Sequence, residues 1–400
     1  MVKQAIKKKA FTRPSIASIK EAMGLNIKDD DLTVSSANKP IEFITLPEAF
    51  VNATKLPGIP KGELSIVYGW SNTGKSTLIN CIIASCQASG ILPVIFDTES
   101  HFDFKYAIDC GMQATPIHKD VEVEDIDEET GEVIGTHTED KIIDYEGEFM
   151  YFDGEILCQL YGKNDYSNGK EAKKQRKVPV LEDIAFAINK ILDLQDEGKI
   201  QQDICFLWDS IGSVMSYKSY VSNVGNNMFD AGAMQSAFNM ITNNRIPLSK
   251  KVSSPYTNTM FCVNKIWLDS MSAPMAAPSV ELKGGKSMYF AAHGLIIQLG
   301  GVVKASIKHL TATSKGRNYN WGTLTKIKVV KNQLSTPYNL TYEGTMVCVH
   351  NGLISEDQED AYKKTYVPKI MAELEKAETG KEVVVKEDDI TFSETDENED

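Results

Sequence analysis

Residues 69–76 read Gly-Trp-Ser-Asn-Thr-Gly-Lys-Ser, the spacing G-x-x-x-x-G-K-[ST] of a loop that cradles phosphate. Gly69 and Gly74 let the backbone wrap a phosphate without Cβ clashes. Backbone N–H groups of Ser71, Asn72, Thr73 and Thr77 would face the anion at a helix N-terminus, where the dipole also favours negative charge. Lys75 would reach the β- and γ-phosphates, and the Ser76 hydroxyl would ligate Mg²⁺. Two further acids fit the same chemistry. Asp209 ends the apolar run Ile204–Trp208, the pattern of a Mg²⁺-organising carboxylate at the edge of a parallel sheet. Glu99 follows the run Ile91–Phe96 and is suited to activate the water that attacks the γ-phosphate. Alternation places Asp97 and Glu99 on one face if their strand persists, so only one of them reaches the nucleotide.

The elements around these residues must position them. Glu63–Tyr68 is a run of strand length, and Thr77–Ala88 is an apolar helix closed by Gly90. Strand, glycine turn and helix follow in the order that a phosphate loop requires. Pro179–Leu194 has helical apolar spacing and leads into the Asp209 strand. The fold class expected is α/β, with a mostly parallel central sheet.

The chain has 400 residues, room for one ATPase core with additions. It contains no apolar run long enough to span a membrane, and its basic N-terminus lacks the apolar stretch of a secretory signal. Seven scattered cysteines without a C-x-x-C pair read as reduced core residues of a cytoplasmic protein. The net charge of −13 is unevenly spread. Residues 119–155 hold 15 acids and 2 bases, and residues 381–400 hold 9 acids and 2 bases, so the remainder is basic and suited to a polyanion.

Four segments are expected. Residues 1–40 form a basic N-terminal helical element (Ser15–Met23) and linker. Residues 41–355 form the core, with a β-rich insertion over 115–180 that turns near Glu128–Val133 and shows strand-like alternation from Asp144 to Leu160. Residues 356–380 form a helical segment, and 381–400 a disordered acidic tail. Lys170, Lys173, Lys174, Arg176 and Lys177 make a basic loop, read chiefly as solvated. The stretches 221–232 and 270–288 lack a core pattern and read as segments that order on a ligand.

Leu56–Gly69, Asp97–Tyr106, Phe261–Asn264, Gly284–Ile297 and Lys326–Asn332 together resemble the RecA recombinase family, in particular its phage members of the UvsX type. The resemblance covers most of residues 41–355. It implies a DNA-dependent ATPase with ATP and Mg²⁺ as cofactors, Glu99 as the group that activates water, and Asp103 and Tyr106 at the base. Asn264 is implied as a γ-phosphate sensor, with Lys265 where the family usually carries Gln or His. Gly284, Gly285, Lys286, Tyr289 and Phe290 are implied in DNA binding, with Tyr289 and Phe290 alternatively packing as strand residues. Lys331 is implied to reach the ATP site of a neighbouring protomer, with Gln333 where a second lysine is usual. The partners implied are single-stranded DNA, a homologous duplex, further copies in a helical filament, docked through the N-terminal helix, and a mediator or single-strand-binding protein. The insertion is a candidate contact for a mediator or for the filament groove. A hexameric helicase of the same ATPase superfamily is the alternative, disfavoured by the Lys326–Asn332 and Gly284-Gly285 matches.

Overall fold

The computed structural model describes residues 15, 18, 21–24, 37–126, 130–131, 133–223, 227–268, 280–282, 285–301, 307–382 and 384–396. Most of the expected N-terminal element lies outside them.

Six parallel strands carry the site: β1 (Leu64–Gly69), β2 (Leu92–Asp97), β3 (Met150–Asp153), β4 (Ile204–Asp209), β5 (Thr259–Leu268) and β6 (Leu295–Leu299). Their order across the sheet is β6-β1-β5-β4-β2-β3. The sheet continues through antiparallel strands β7 (Lys308–Ser314), β8 (Arg317–Asn332), β9 (Glu343–Val349) and β10 (Gly352–Ile354). This is the α/β fold with a mostly parallel central sheet that the sequence leads one to expect.

Strand β1 is buried along its whole length, because helices cover both faces of the sheet. On one face α1 (Lys75–Ala88) packs Leu78, Ile82 and Cys86 into a core with Phe50 and Leu207. On the other face α2 (Leu181–Asp196) presents Ile184, Ile188 and Ile191 at helical spacing, against Phe206 and Trp208. A third core joins the antiparallel strands to α4 (Val367–Thr379), which follows α3 (Asn227–Met240) in the chain. There Trp321, Tyr362 and Met371 are buried.

Residues 115–180 carry the expected inserted sheet segments, with a strand of the main sheet and a helix among them. Thr115–Ile126 and Val133–Glu146 form a long two-stranded hairpin that pairs with no other strand among the described residues. Both its faces carry charge, which leaves it no apolar face to bury. Met150–Asp153, however, is a strand of the main sheet, beside β2. Gly154–Tyr161 is a helix rather than a strand, because the Asp153 side chain accepts the Ile156 N–H at 2.7 Å and caps it.

The acidic tail also departs from expectation. Thr391–Asp396 is a strand, β11, paired antiparallel with β7. It covers an edge that would otherwise stay open. Phe392 lies against Trp321, and Ile390 and Val385 are nearly buried in the third core, so three apolar residues anchor an otherwise acidic segment.

Candidate active site

The carboxyl ends of the parallel strands converge in register. Lys265 lies beside Gly69, Asp209 beside Asp97, and Asp97 beside Asp153. Ligands of open α/β sheets bind at such an edge. A cavity of about 590 Å³ opens here, bordered by Gly69, Lys75, Glu99, Tyr106, Asp209 and Lys265.

The phosphate loop links β1 to α1. A Cβ at Gly69 would lie 2.5 Å from the Leu299 carbonyl oxygen. Gly74 has φ +86°, and a Cβ there would lie 2.1 Å from Cys348 Sγ. Neither position admits a larger residue without displacing its neighbour. Ser71, Asn72 and Ser76 are exposed, whereas Thr73 is buried and donates its hydroxyl to the Trp70 carbonyl at 2.9 Å. Lys75 Nζ donates to the Gly69 carbonyl at 3.0 Å and to that of Trp70. Burial lowers the Lys75 pKa; the charges of Asp209 and Glu99 oppose that shift without cancelling it.

Thr77 is turned behind the loop. Its hydroxyl meets the Tyr106 hydroxyl at 2.6 Å, and Tyr106 also donates to the Val349 carbonyl at 3.3 Å. Both residues border a second cavity of about 480 Å³ on the other side of the loop, together with Thr73 and His350. Burial raises the Tyr106 pKa, so the phenol stays protonated. Asp103 is exposed and caps the helix Phe104–Asp109 by accepting the Tyr106 N–H at 3.1 Å.

The two acids after β2 have separate tasks. The strand ends at Asp97, so alternation does not extend to Glu99. The buried Asp97 carboxylate accepts the N–H groups of Glu99 at 3.2 Å, His101 at 3.3 Å and Phe102 at 2.9 Å. Tyr151 donates to it at 3.1 Å. Asp97 therefore folds the loop that presents Glu99.

Glu99 accepts the Ser210 hydroxyl and pairs with Lys265 Nζ at 3.0 Å. Burial works against its charge, but these two donors outweigh it and hold the pKa below the usual glutamate range. Asp209 is the opposite case. Burial, then the Glu99 charge, push its pKa to about 6, although Lys75 resists. Asn264 is fully buried and accepts the Lys265 N–H at 2.8 Å. The contacts made by Ser210, Tyr151 and Lys265 are not legible in the sequence. Ser210 follows a strand-ending acid and Lys265 follows Asn264 at the end of an apolar run, which are local signals, whereas Tyr151 carries none.

The residues fit a Mg²⁺–nucleotide. The donor set is the Ser76 hydroxyl and the Asp209 carboxylate, and Mg²⁺ takes one or two carboxylates with phosphate oxygens and water. The raised Asp209 pKa marks a buried carboxylate with insufficient positive charge around it.

Lys331 lies elsewhere. It borders a separate cavity of about 660 Å³ with Phe238, Tyr289, Phe290 and Gln333. Its Nζ donates to the Tyr289 carbonyl at 2.6 Å and sits 4.8 Å from that ring's centroid. Burial lowers its pKa. Tyr289 and Phe290 belong to the helix Gly285–Ala291 rather than a strand, and Phe290 is 63% exposed. Gly285 and Lys286 start that helix, whereas Gly284 and residues 269–279 lie outside the described residues. The 212–232 stretch is largely helical. Ser216 caps Tyr217–Ser222, and α3 begins at Asn227.

Residues 21–144 match the RecA N-terminal domain. The chain is 34% identical over 92 residues to Protein RecA of Campylobacter lari, covering 23% of this chain and 26% of that protein. It is 33% identical over 85 residues to Protein RecA of Aquifex pyrophilus, covering 20% and 24%. Against Protein RecA of Ureaplasma parvum serovar 3 it is 41% identical over 54 residues, covering 14% and 16%. The likeness is to RecA proteins. The chain spans about a quarter of the length of the Campylobacter lari and Aquifex pyrophilus proteins it matches. Among the described residues, no helix is long and apolar enough to cross a membrane.

Proposed function

We propose that this chain is an ATP-dependent DNA recombinase of the RecA family, phage type. In this reading it assembles as a helical filament on single-stranded DNA in the cytoplasm and exchanges that strand with a homologous duplex. The observation that carries the reading is Glu99, held by Ser210 and Lys265 in the same cavity as Lys75 and Asp209. That is an acceptor for a water proton, a cation for phosphate oxygens and a carboxylate for Mg²⁺, aligned on one sheet edge.

The reaction is hydrolysis of ATP to ADP and phosphate. A water oxygen bonds to the γ-phosphorus, the bond from that phosphorus to the β–γ bridging oxygen breaks, and Glu99 takes the water proton. Ser76 and Asp209 would hold Mg²⁺, which supplies positive charge beside the phosphates. Lys265 pairs with Glu99 and lies next to Asn264, so a γ-phosphate that attracts Lys265 would free Glu99 to act as base. Asp103 and Tyr106 would border the nucleoside. Lys331 would serve the site of an adjacent protomer, since within its own chain it faces a different cavity. The two segments after Asp209 and Lys265, with Gly284, Gly285, Lys286, Tyr289 and Phe290, would meet DNA. The N-terminal element would dock on the next protomer, the Thr115–Glu146 hairpin would meet a mediator or the filament groove, and a single-strand-binding protein would be a further partner.

Negative-stain microscopy of the protein with single-stranded DNA and a slowly hydrolysed ATP analogue tests this. Continuous helical filaments are expected. Closed hexameric rings would overturn it in favour of a helicase.

A further inference from the structure

The segment 162–177 carries six bases and two acids, and its structure is built rather than loose. Asn164–Asp165 pairs with Lys170–Glu171 in a small hairpin. The Asp165 carboxylate closes the turn, accepting the Ser167 N–H at 3.0 Å and Asn168 Nδ2 at 2.8 Å. Gly162 is obligatory at the base, since a Cβ there would lie 2.3 Å from the Cys158 carbonyl oxygen.

One residue of the basic run is not on the surface. Arg176 is buried and forms two 2.7 Å bonds to the wholly buried Asp183, in the first turn of α2. Tyr166 donates to the same carboxylate at 2.8 Å. The guanidinium carbon lies 5.7 Å from the Tyr166 ring centre and 5.6 Å from that of Tyr217. Such a fork beside two edge-to-face rings fixes position as well as charge. Tyr217 is tied down again where its N–H reaches Glu182 at 2.8 Å. The hairpin is thereby clamped to the helix Tyr217–Ser222, which begins eight residues after Asp209.

The clamp turns the other bases outward. Lys163, Lys170, Lys173, Lys174 and Lys177 are all exposed. Lys163 pairs with Glu171 at 3.5 Å, and the other four make no ion pair among the described residues. Asp165 makes no ion pair with them among the described residues, its carboxylate accepting hydrogen bonds within its own turn, and the segment keeps a net positive charge. These lysines are spaced over positions 163 to 177 of the sequence, a distribution that suits an extended anion. Beside them the neighbouring helix exposes Tyr220, an aromatic face for a base.

We infer that the 162–177 hairpin is an added binding surface for a nucleic-acid phosphate backbone, coupled through the Arg176–Asp183–Tyr217 clamp to the segment that leaves Asp209. This rests on the reading of the chain as a DNA-binding ATPase. The phosphates belong either to a single strand or to a duplex, and the test separates the two.

The full chain is compared with the variant Lys170→Ala, Lys173→Ala, Lys174→Ala, Lys177→Ala. Binding of a fluorescent oligothymidylate and of a fluorescent duplex is followed by anisotropy across a salt series, with a slowly hydrolysed ATP analogue present. Removing one lysine from a phosphate lowers the log–log salt slope by about 0.7 on a single strand or about 0.9 on a duplex. The variant should lose roughly 2 to 4 from the slope on whichever DNA the hairpin holds. Its DNA-free ATP hydrolysis and thermal midpoint should match the wild type, since the lysines are exposed and outside the nucleotide cavity. Equal affinities and slopes for both proteins on both DNAs would overturn this inference alone. Failure of the wild type to bind either DNA would overturn the DNA-binding reading and this inference with it.

Discussion

Two lysine-bearing cavities, one at the strand ends and one beside β8, differ in how their charge is balanced. At the strand ends, Lys75 and Lys265 face Glu99 and Asp209: the two carboxylates oppose the lowering of the Lys75 pKa, Lys265 helps hold the Glu99 pKa down, and Lys75 resists the rise at Asp209. In the other cavity Lys331 is met by two carbonyls and an aromatic ring, with no carboxylate within ion-pair distance among the described residues. The first arrangement is complete within one chain. The second leaves a partly exposed cation with no carboxylate partner among the described residues, and that is why we propose that it serves a neighbour's nucleotide.

Breaking the first cavity should have the largest effect. Lys75→Ala removes its one cation aimed at phosphate from the loop itself, so ATP affinity should fall by about 100-fold or more, given the strength of charge-assisted contacts to buried phosphate. Calorimetric titration that still finds near-normal affinity would end the nucleotide reading. Glu99→Gln should be milder for binding and severe for chemistry. Loss of a positioned base costs about 10²–10⁴ in rate, while the amide keeps its contact with Ser210. Single-turnover hydrolysis together with ATP affinity separates the two effects, and rapid turnover by this variant would refute the role of Glu99.

Lys331→Ala sharpens the comparison. The isolated chain should bind ATP normally, because Lys331 does not border that cavity. DNA-stimulated hydrolysis should drop by roughly 10-fold to 100-fold, the scale of losing one charge-stabilising donor. Mixing this variant with Glu99→Gln should restore part of the rate, because some interfaces then pair an intact Glu99 with an intact Lys331. A mixture no faster than the average of its two components would show that Lys331 does not act across protomers.

Local spacing makes the first cavity legible. The phosphate loop, the two strand-ending acids and the helices beside them are written in contiguous residues, and the parallel fold follows from that order. What stays hidden depends on distant partners. Arg176 sits in a run of exposed lysines, and only its pairing with Asp183 separates it from them. Met150–Asp153 joins the main sheet beside β2, although a charged hairpin precedes it. Thr391–Asp396 is acidic enough to look unfolded, yet Phe392 and an open strand edge order it. Glu99 rather than Asp97 meets Ser210 and Lys265 because Asp97 is spent on backbone amides, which no alternation pattern encodes.

The smallest effect predicted is on stability, and it turns on Asp209. Its folded pKa of about 6 stands above the ordinary 3.8, so the native state binds this proton more tightly than the unfolded chain does. The stabilisation from that proton is fully present below about 3.8 and is lost as pH rises through about 6. At pH values above this window the nucleotide-free protein carries a buried anion at a cost. Asp209→Asn should therefore stabilise the nucleotide-free chain at alkaline pH by about 1–3 kcal/mol, with the gain vanishing as pH falls toward the ordinary carboxylate range. The same substitution should abolish the stabilisation that Mg²⁺ and nucleotide give the wild type, because one of the two assigned metal donors is gone. Denaturant melts at several pH values, with and without Mg²⁺–nucleotide, measure both signs. A variant less stable than wild type at alkaline pH without ligand would mean that Asp209 is already compensated in its own chain. The strain in the first cavity would then have to lie with Lys75, whose pKa burial also lowers.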